Sequence, residues 1–176
     1  MLSKEKRHLT VRETVVFAML GSIMFASKLL MEILPNIHLV GVLTLTYTLV
    51  YRKKALIPIY IFVVINGIYA GFSLWWFPYT YIWTLLWGIA MLLPKNMRRS
   101  HARIVYPLLC AIHGLCYGIL YSPAQALMYG MSFEATLAWV ISGLPFDVIH
   151  AASNFAFGFL ILPLEKTIRK IDKTNQ

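Results

Sequence analysis

All but one of the 16 Lys and Arg residues of this 176-residue chain fall in four short clusters, and the apolar stretches between them carry almost no charge beyond Lys28, Glu32 and Asp147. The clusters are Lys4, Lys6, Arg7 and Arg12; Arg52, Lys53 and Lys54; Lys95, Arg98, Arg99 and Arg103; and Lys166, Arg169, Lys170 and Lys173. Such cations are costly in hydrocarbon and favoured beside the cytoplasmic face of a membrane, so the pattern predicts four cytoplasmic segments. Segments on one side require an even number of crossings between neighbours, and each interval has room for one hairpin of two helices. The expectation is an all-α integral membrane protein of the plasma membrane, with six transmembrane helices and both termini cytoplasmic.

The turns on the other side then fall near 34–37, 74–78 and 122–132, segments that contain Pro35, Pro78 and Pro123 and no Lys or Arg. The spans expected are 12–33, 38–51, 55–73, 79–93, 104–121 and 133–162, forming a single membrane domain over 1–176. The second and fourth are shorter than the ~20 residues a perpendicular helix needs, and the sixth is too long. Gly143 and Pro145 offer a place to break it, because proline lacks the backbone donor and clashes with the preceding turn. Phe133 to Ser142 is therefore expected as a separate helix, with Pro145 opening the last span.

Composition agrees: 59% hydrophobic and 13% charged residues is far from the roughly 25% charged residues of soluble domains. The net charge of +9 could suggest nucleic acid, but the basic residues sit at span ends, where anionic lipid accounts for them. No nucleic-acid partner is expected. The basic N-terminus followed by an apolar run is read as the first span rather than a cleaved signal, since no small-residue cleavage site precedes Lys28 and Glu32. Cys110 and Cys116, six positions apart on different helix faces, are expected as reduced packing residues, with no disulfide, metal or cofactor. Nothing matches G-x-x-x-x-G-K-[ST], so any energy for transport must come from an ion or a partner.

Three sets of polar residues interrupt the apolar spans. Asp147, His150 and Asn154 lie at i, i+3 and i+7 on one helix face, and an ionisable residue at membrane depth is a functional candidate by default. Asp147 also suits a helix cap, but His150 and Asn154 carry the stripe inward, where a cap has no use for them. Lys28 and Glu32, at i and i+4 near the other end of the first span, can pair with each other, with Asp147 or with a ligand, or can snorkel to the headgroups. The third set is aromatic: Tyr79, Trp83 and Trp87 run at i, i+4, i+8, and His113, Tyr117 and Tyr121 repeat the spacing. Asn66, Tyr69 and Ser73 add a polar stripe. Such faces suit a planar heterocycle that stacks on rings and hydrogen-bonds their tips, although they also suit an interfacial belt and bundle packing. Small residues mark close approaches: Ala18, Ser22 and Ala26 on the first span, Gly67 with Gly71, and Gly114 with Gly118.

With these residues in view, the chain resembles the substrate-binding S components of energy-coupling factor (ECF) transporters over nearly its whole length. The likeness rests on size and topology, the N-terminal basic segment, the ladder Ala18, Ser22, Ala26, the segment Leu34-Pro35-Asn36-Ile37-His38-Leu39, and Ser142-Gly143-Leu144-Pro145-Phe146-Asp147-Val148-Ile149-His150 followed by Asn154. The last segment is similar to one found in S components labelled as queuosine-related. The resemblance implies a subunit that captures a micronutrient from outside, while a transmembrane coupling subunit and two cytoplasmic ATPases supply the work. It also implies that the first-span ladder docks the coupling subunit; Ser22 departs from the family's Ala-xxx-Ala by one hydroxyl.

The expected site is thus an outward-opening cavity lined by Asn66, Trp83, Trp87, His113, Tyr117, Asp147, His150 and Asn154, with Lys28 and Glu32 at its rim. Asp147 is expected to accept hydrogen bonds from ring or amino N–H groups of a vitamin-like or heteroaromatic substrate, such as a deazapurine precursor. No catalysis is expected of the chain itself. Two other classes remain: an intramembrane enzyme using Asp147 and His150 as acid and base, and an accessory membrane subunit with no small ligand.

Overall fold

Thr10 opens the first helix through a capping box, in which its hydroxyl accepts the Glu13 N–H and the Glu13 carboxylate accepts the Thr10 N–H, each at 3.1 Å. This reciprocal pairing satisfies two donors that no helical carbonyl can reach. The computed structural model describes residues 9–34 and 36–174. Lys4, Lys6, Arg7 and Pro35 therefore lie outside the described residues, as does the side chain of Lys173.

The described residues are helical with no strand: α1 (Val11–Leu30), α2 (Val40–Tyr51), α3 (Leu56–Ala70), α4 (Tyr79–Leu92), α5 (Arg99–Leu115), α6 (Tyr117–Tyr129), α7 (Phe133–Gly158) and α8 (Ile161–Thr174). Short 3-10 turns at Arg52–Ala55 and Leu74–Trp76 join α2 to α3 and α3 to α4. α1, the near-continuous stretch Arg99–Tyr129 and α7 are each long and apolar enough to cross a membrane.

α2 is the central element. Residues Val40 through Leu49 are all buried, as expected of a helix that is apolar on every face. The hydroxyls of Thr46 and Thr48 do not disturb it, because each donates to the carbonyl four residues back, at 2.7 Å. Around α2 the main packing pairs are α5 with α7 and α1 with α3, and α4 and α8 lie against α2 itself. Glycine sets two of the close approaches. A Cβ on Gly21 would meet Ile61 and the Pro58 carbonyl of α3, and one on Gly158 would meet the Pro107 backbone of α5.

One end of the bundle gathers the basic clusters. Lys54 pairs with Glu13, Arg12 with Asp172 at 3.3 Å, and Arg169 donates to the Leu49 carbonyl at 2.6 Å. Arg52 has a left-handed backbone (φ 54°), and its guanidinium donates to the Met91 carbonyl at the end of α4, at 2.7 Å.

Three expectations are corrected here. α7 runs unbroken through Gly143 and Pro145, and the break comes instead at Phe159–Leu160, before α8. In apolar surroundings a backbone that leaves the helix abandons more hydrogen bonds than one proline removes, so the helix persists through it. The turn expected at 122–132 shrinks to Gly130–Ser132, because α6 continues past Pro123 to Tyr129. Pro123 lacks the N–H that would reach the Ile119 carbonyl, and the Ser122 hydroxyl donates to it at 3.0 Å in its place. The sixth stretch, expected to reach 162, therefore ends early, and the basic segment after it is helical. In α8, Ile161, Leu164 and Ile168 turn inward at the i, i+3, i+7 spacing of an amphipathic helix.

Candidate functional site

At the end opposite the basic clusters, a cavity of about 300 Å³ is walled by the end of α1, the segment leading into α2, and α4, α6 and α7. Its lining includes Lys28, Glu32, Asn36 and His38 from the first two elements and Trp75, Tyr79, Tyr117, Tyr121 and His150 from the others. The segment before α2 is held over the cavity by backbone geometry and by one bond. Asn36 sits in the left-handed region (φ 58°), which short polar side chains tolerate better than most, and its carbonyl accepts the Ser153 hydroxyl at 3.2 Å. The Tyr121 hydroxyl donates to the Trp75 carbonyl at 2.8 Å, tying α6 to the turn before α4.

The floor is a continuous set of rings. His150 lies 4.8 Å from His38 and 5.0 Å from Tyr117, centroid to centroid. Beneath them Trp83 touches His113 at 5.7 Å, His38 at 6.0 Å and Tyr117 at 6.1 Å. Most of these contacts are edge-on or tilted, as quadrupoles prefer. The polar tips are unusual. The His38 Nδ1, the Trp83 Nε1, the His113 Nδ1 and both ring nitrogens of His150 are buried and have no hydrogen-bond partner in the protein. A buried unpaired donor or acceptor costs about 1–3 kcal/mol, so this cluster is polar surface that the fold buries at a cost, and two of its residues, His38 and His150, also line the cavity.

The structure brings together part of the expected set. Lys28, Glu32, Tyr117 and His150 line the cavity, and Trp83 and His113 support it from below. Lys28 and Glu32 make no ion pair with each other. Asn154 lies deeper in α7, where its Nδ2 donates to the Cys110 carbonyl at 3.2 Å against Gly41 and Gly114, and its Oδ1 is unpaired. Asn66 is fully buried on α3 with neither amide atom paired, but it is not among the cavity residues.

Two expected lining residues turn elsewhere. Both oxygens of Asp147 accept the Gly118 N–H, at 3.1 and 3.2 Å, so the carboxylate caps the start of α6 where the helix has just been interrupted at Cys116. It complements the positive end of that dipole rather than that of its own helix. A Cβ at Gly118 would stand 2.5 Å from the Asp147 carboxylate, so a larger residue there would displace the cap. Trp87 shares a face with Trp83 but lies about 6 Å further along the axis, and its indole donates to the Arg52 carbonyl at the basic end, at 3.0 Å. Asp147→Ala is expected to lower stability by about 1–2 kcal/mol through loss of this cap, read as a lower unfolding midpoint in detergent.

His38, Trp75, Tyr79 and Tyr121 were not expected as lining residues. Tyr79 and Tyr121 lie on the aromatic stripes already noted; His38 is signalled only as an ionisable residue at the opening of an apolar run. The rim holds one cation and one anion, and the deeper surface is aromatic with imidazole and phenol tips. Such a surface can stack a planar ring and both donate to and accept from its edge. Among the described residues no group of three or more His, Cys, Asp or Glu could hold a metal ion. Asp147 and His150, the acid and base of an enzymatic reading, face different neighbours.

The small-residue ladder is equally specific in its placement. Ala18, Ser22 and Ala26 are all exposed on α1, on the side away from Gly21 and α3. The Ser22 hydroxyl donates to the Ala18 carbonyl at 2.9 Å, which leaves the strip smooth and without a free donor.

Comparison with protein-family models, with curated proteins and with solved structures returns no match for this chain.

Proposed function

We propose that the protein is the substrate-binding S component of an ECF-type importer, with six spans and both termini cytoplasmic, and that the ring-lined cavity takes a heteroaromatic micronutrient from outside. The observation that carries the reading is a cavity of about 300 Å³ lined by aromatic and imidazole side chains, among them His38 and His150, whose ring nitrogens include three with no partner in the protein. A heterocycle in this cavity stacks its faces on Tyr79, Tyr117 and Tyr121 and turns its polar edge toward His38 and His150. Lys28 and Glu32 then meet the polar or charged tail at the mouth, so the ligand sits ring first. The basic clusters at the other end give the orientation by the positive-inside rule, and the exposed ladder on α1 supplies a smooth helix face of the kind a coupling subunit can approach.

The test is native mass spectrometry of the mildly solubilised protein from cells grown in rich medium, followed by identification of any small molecule released on denaturation. One heterocycle per chain is the expected result. An empty protein that also ignores a panel of vitamins and nucleobases in thermal-shift assays would overturn the reading. Ala18→Trp and Ser22→Trp are each expected to abolish uptake in cells while leaving ligand binding to the purified protein unchanged. Loss of binding instead would show that the ladder packs inside the protein.

A further inference from the structure

A second cleft, of about 880 Å³, opens at the basic end between the first turns of α5 and the length of α8. Its lining carries six cations, Lys95, Arg99, Arg103, Lys166, Arg169 and Lys170, against a single carboxylate, Glu165. That carboxylate is already used, since Arg169 holds it at 2.9 Å and is itself anchored on the Leu49 carbonyl. Among the described residues, Lys95, Arg99, Arg103 and Lys166 have no carboxylate partner.

The cations are arranged in two ladders. Arg99 and Arg103 stand at i, i+4 on α5, and Lys166 and Lys170 at i, i+4 on α8, both facing one cleft. Like charges at this spacing repel along each helix, and the two ladders repel across the gap, so the arrangement favours an anion between them.

The surroundings decide what kind of anion. Tyr106 and Ala102 form a buried floor, and Phe159, Leu162 and Pro163 form an apolar wall. Phe159 of that wall is 55% exposed, and Ile104, which follows Arg103 on α5, is 62% exposed. An occupant that suits both regions has an anionic head and hydrocarbon chains. A free phosphate or a polyanion would use the cations and leave the apolar wall unmatched.

We propose that this cleft is a binding site for an anionic glycerophospholipid, whose phosphate sits between the ladders and whose chains run along α5 beside Ile104. The site is independent of the cavity at the other end and of the transport reading; it requires only that the protein resides in a membrane. Basic pockets between helices at a cytoplasmic interface are suited to such headgroups.

Native mass spectrometry of the full chain, titrated with phosphatidylglycerol or phosphatidylcholine of the same acyl composition, tests it. Phosphatidylglycerol is expected to be retained at least about five-fold more tightly, with one molecule per chain. Arg103→Gln is expected to weaken that retention about five-fold, Arg103→Lys to preserve most of it, and Lys53→Gln, which removes the same charge outside the cleft, to leave it unchanged. Equal retention of the two lipids, or equal loss in Lys53→Gln, would overturn the proposal in favour of diffuse surface charge. Displacement of the lipid by glycerol 3-phosphate at equal concentration would overturn it in favour of a soluble anion site. The comparison of the two lipids on the unmodified protein stands even where a variant fails to fold.

Discussion

Trp83→Ala is expected to destabilise the protein by about 3–5 kcal/mol, the range for truncating a large buried aromatic in a close-packed interior. Trp83 is 1% exposed and touches Phe62 of α3, Tyr79 of α4, His113 of α5, Tyr117 of α6 and His38 before α2. Removing it takes away a side chain that all of these elements touch, and the cavity above loses its floor. Trp83→Phe separates packing from polarity. It keeps most of the ring and deletes an indole N–H that has no protein partner, so it is expected to cost no more than about 1.5 kcal/mol in stability. If that N–H meets the ligand, the same variant loses about ten-fold in affinity, on the scale of one hydrogen bond. Both are read by unfolding midpoints and ligand titration in detergent. An alanine variant within about 1 kcal/mol of the parent would show that Trp83 does not hold these helices together.

His150→Leu is expected to move stability and binding in opposite directions. Neither ring nitrogen of His150 has a partner in the protein, so an apolar side chain of similar reach removes the cost of burying them. The ligand-free protein is expected to gain about 1–3 kcal/mol. Under the proposed function, ligand affinity is expected to fall by more than ten-fold, because the imidazole that lines the cavity is gone. A gain in one and a loss in the other is the signature of a polar site built at the expense of the fold. A variant that loses stability and still binds would assign His150 a purely structural role.

The all-helical class and the positions of several helices were legible in the sequence. The helix Tyr79–Leu92 falls within a residue of the expected 79–93, and α2 and α3 lie within their expected spans. Periodicity and proline carried less. Pro145 reads as a break because the rule for proline comes from helices in water, where a freed backbone group can turn to solvent; in apolar surroundings leaving the helix costs more than staying. Pro123 reads as a turn unless the neighbouring Ser122 is recognised as a substitute donor. α8 is visible in principle as the spacing of Ile161, Leu164 and Ile168, but its basic residues draw the eye to a loop.

The candidate site shows a similar division. Lys28, Glu32, Tyr117 and His150 stand out as polar or ionisable groups within apolar runs, and the structure brings them to one cavity. Asp147 and Trp87 share helix faces with cavity residues and yet serve other neighbours, because a shared face says nothing about which element that face meets at each depth. His38 enters the site only through the chain reversal after α1, and a reversal held by a left-handed Asn36 and a bond to Ser153 leaves no periodic trace.

The helices also differ in length from one side of the molecule to the other. α3 and α4, with 15 and 14 residues, are about 21–23 Å long, whereas α7, with 26 residues, is about 39 Å. A hydrocarbon layer of about 30 Å is too thick for the first pair and too thin for the last. In the proposed six-span arrangement lipid thins beside α3 and α4 and thickens beside α7, unless the whole body leans. Leaning shortens the projection of α7 and relieves its mismatch while adding to that of α3 and α4, so acyl-chain length acts as a lever on the protein's resting tilt.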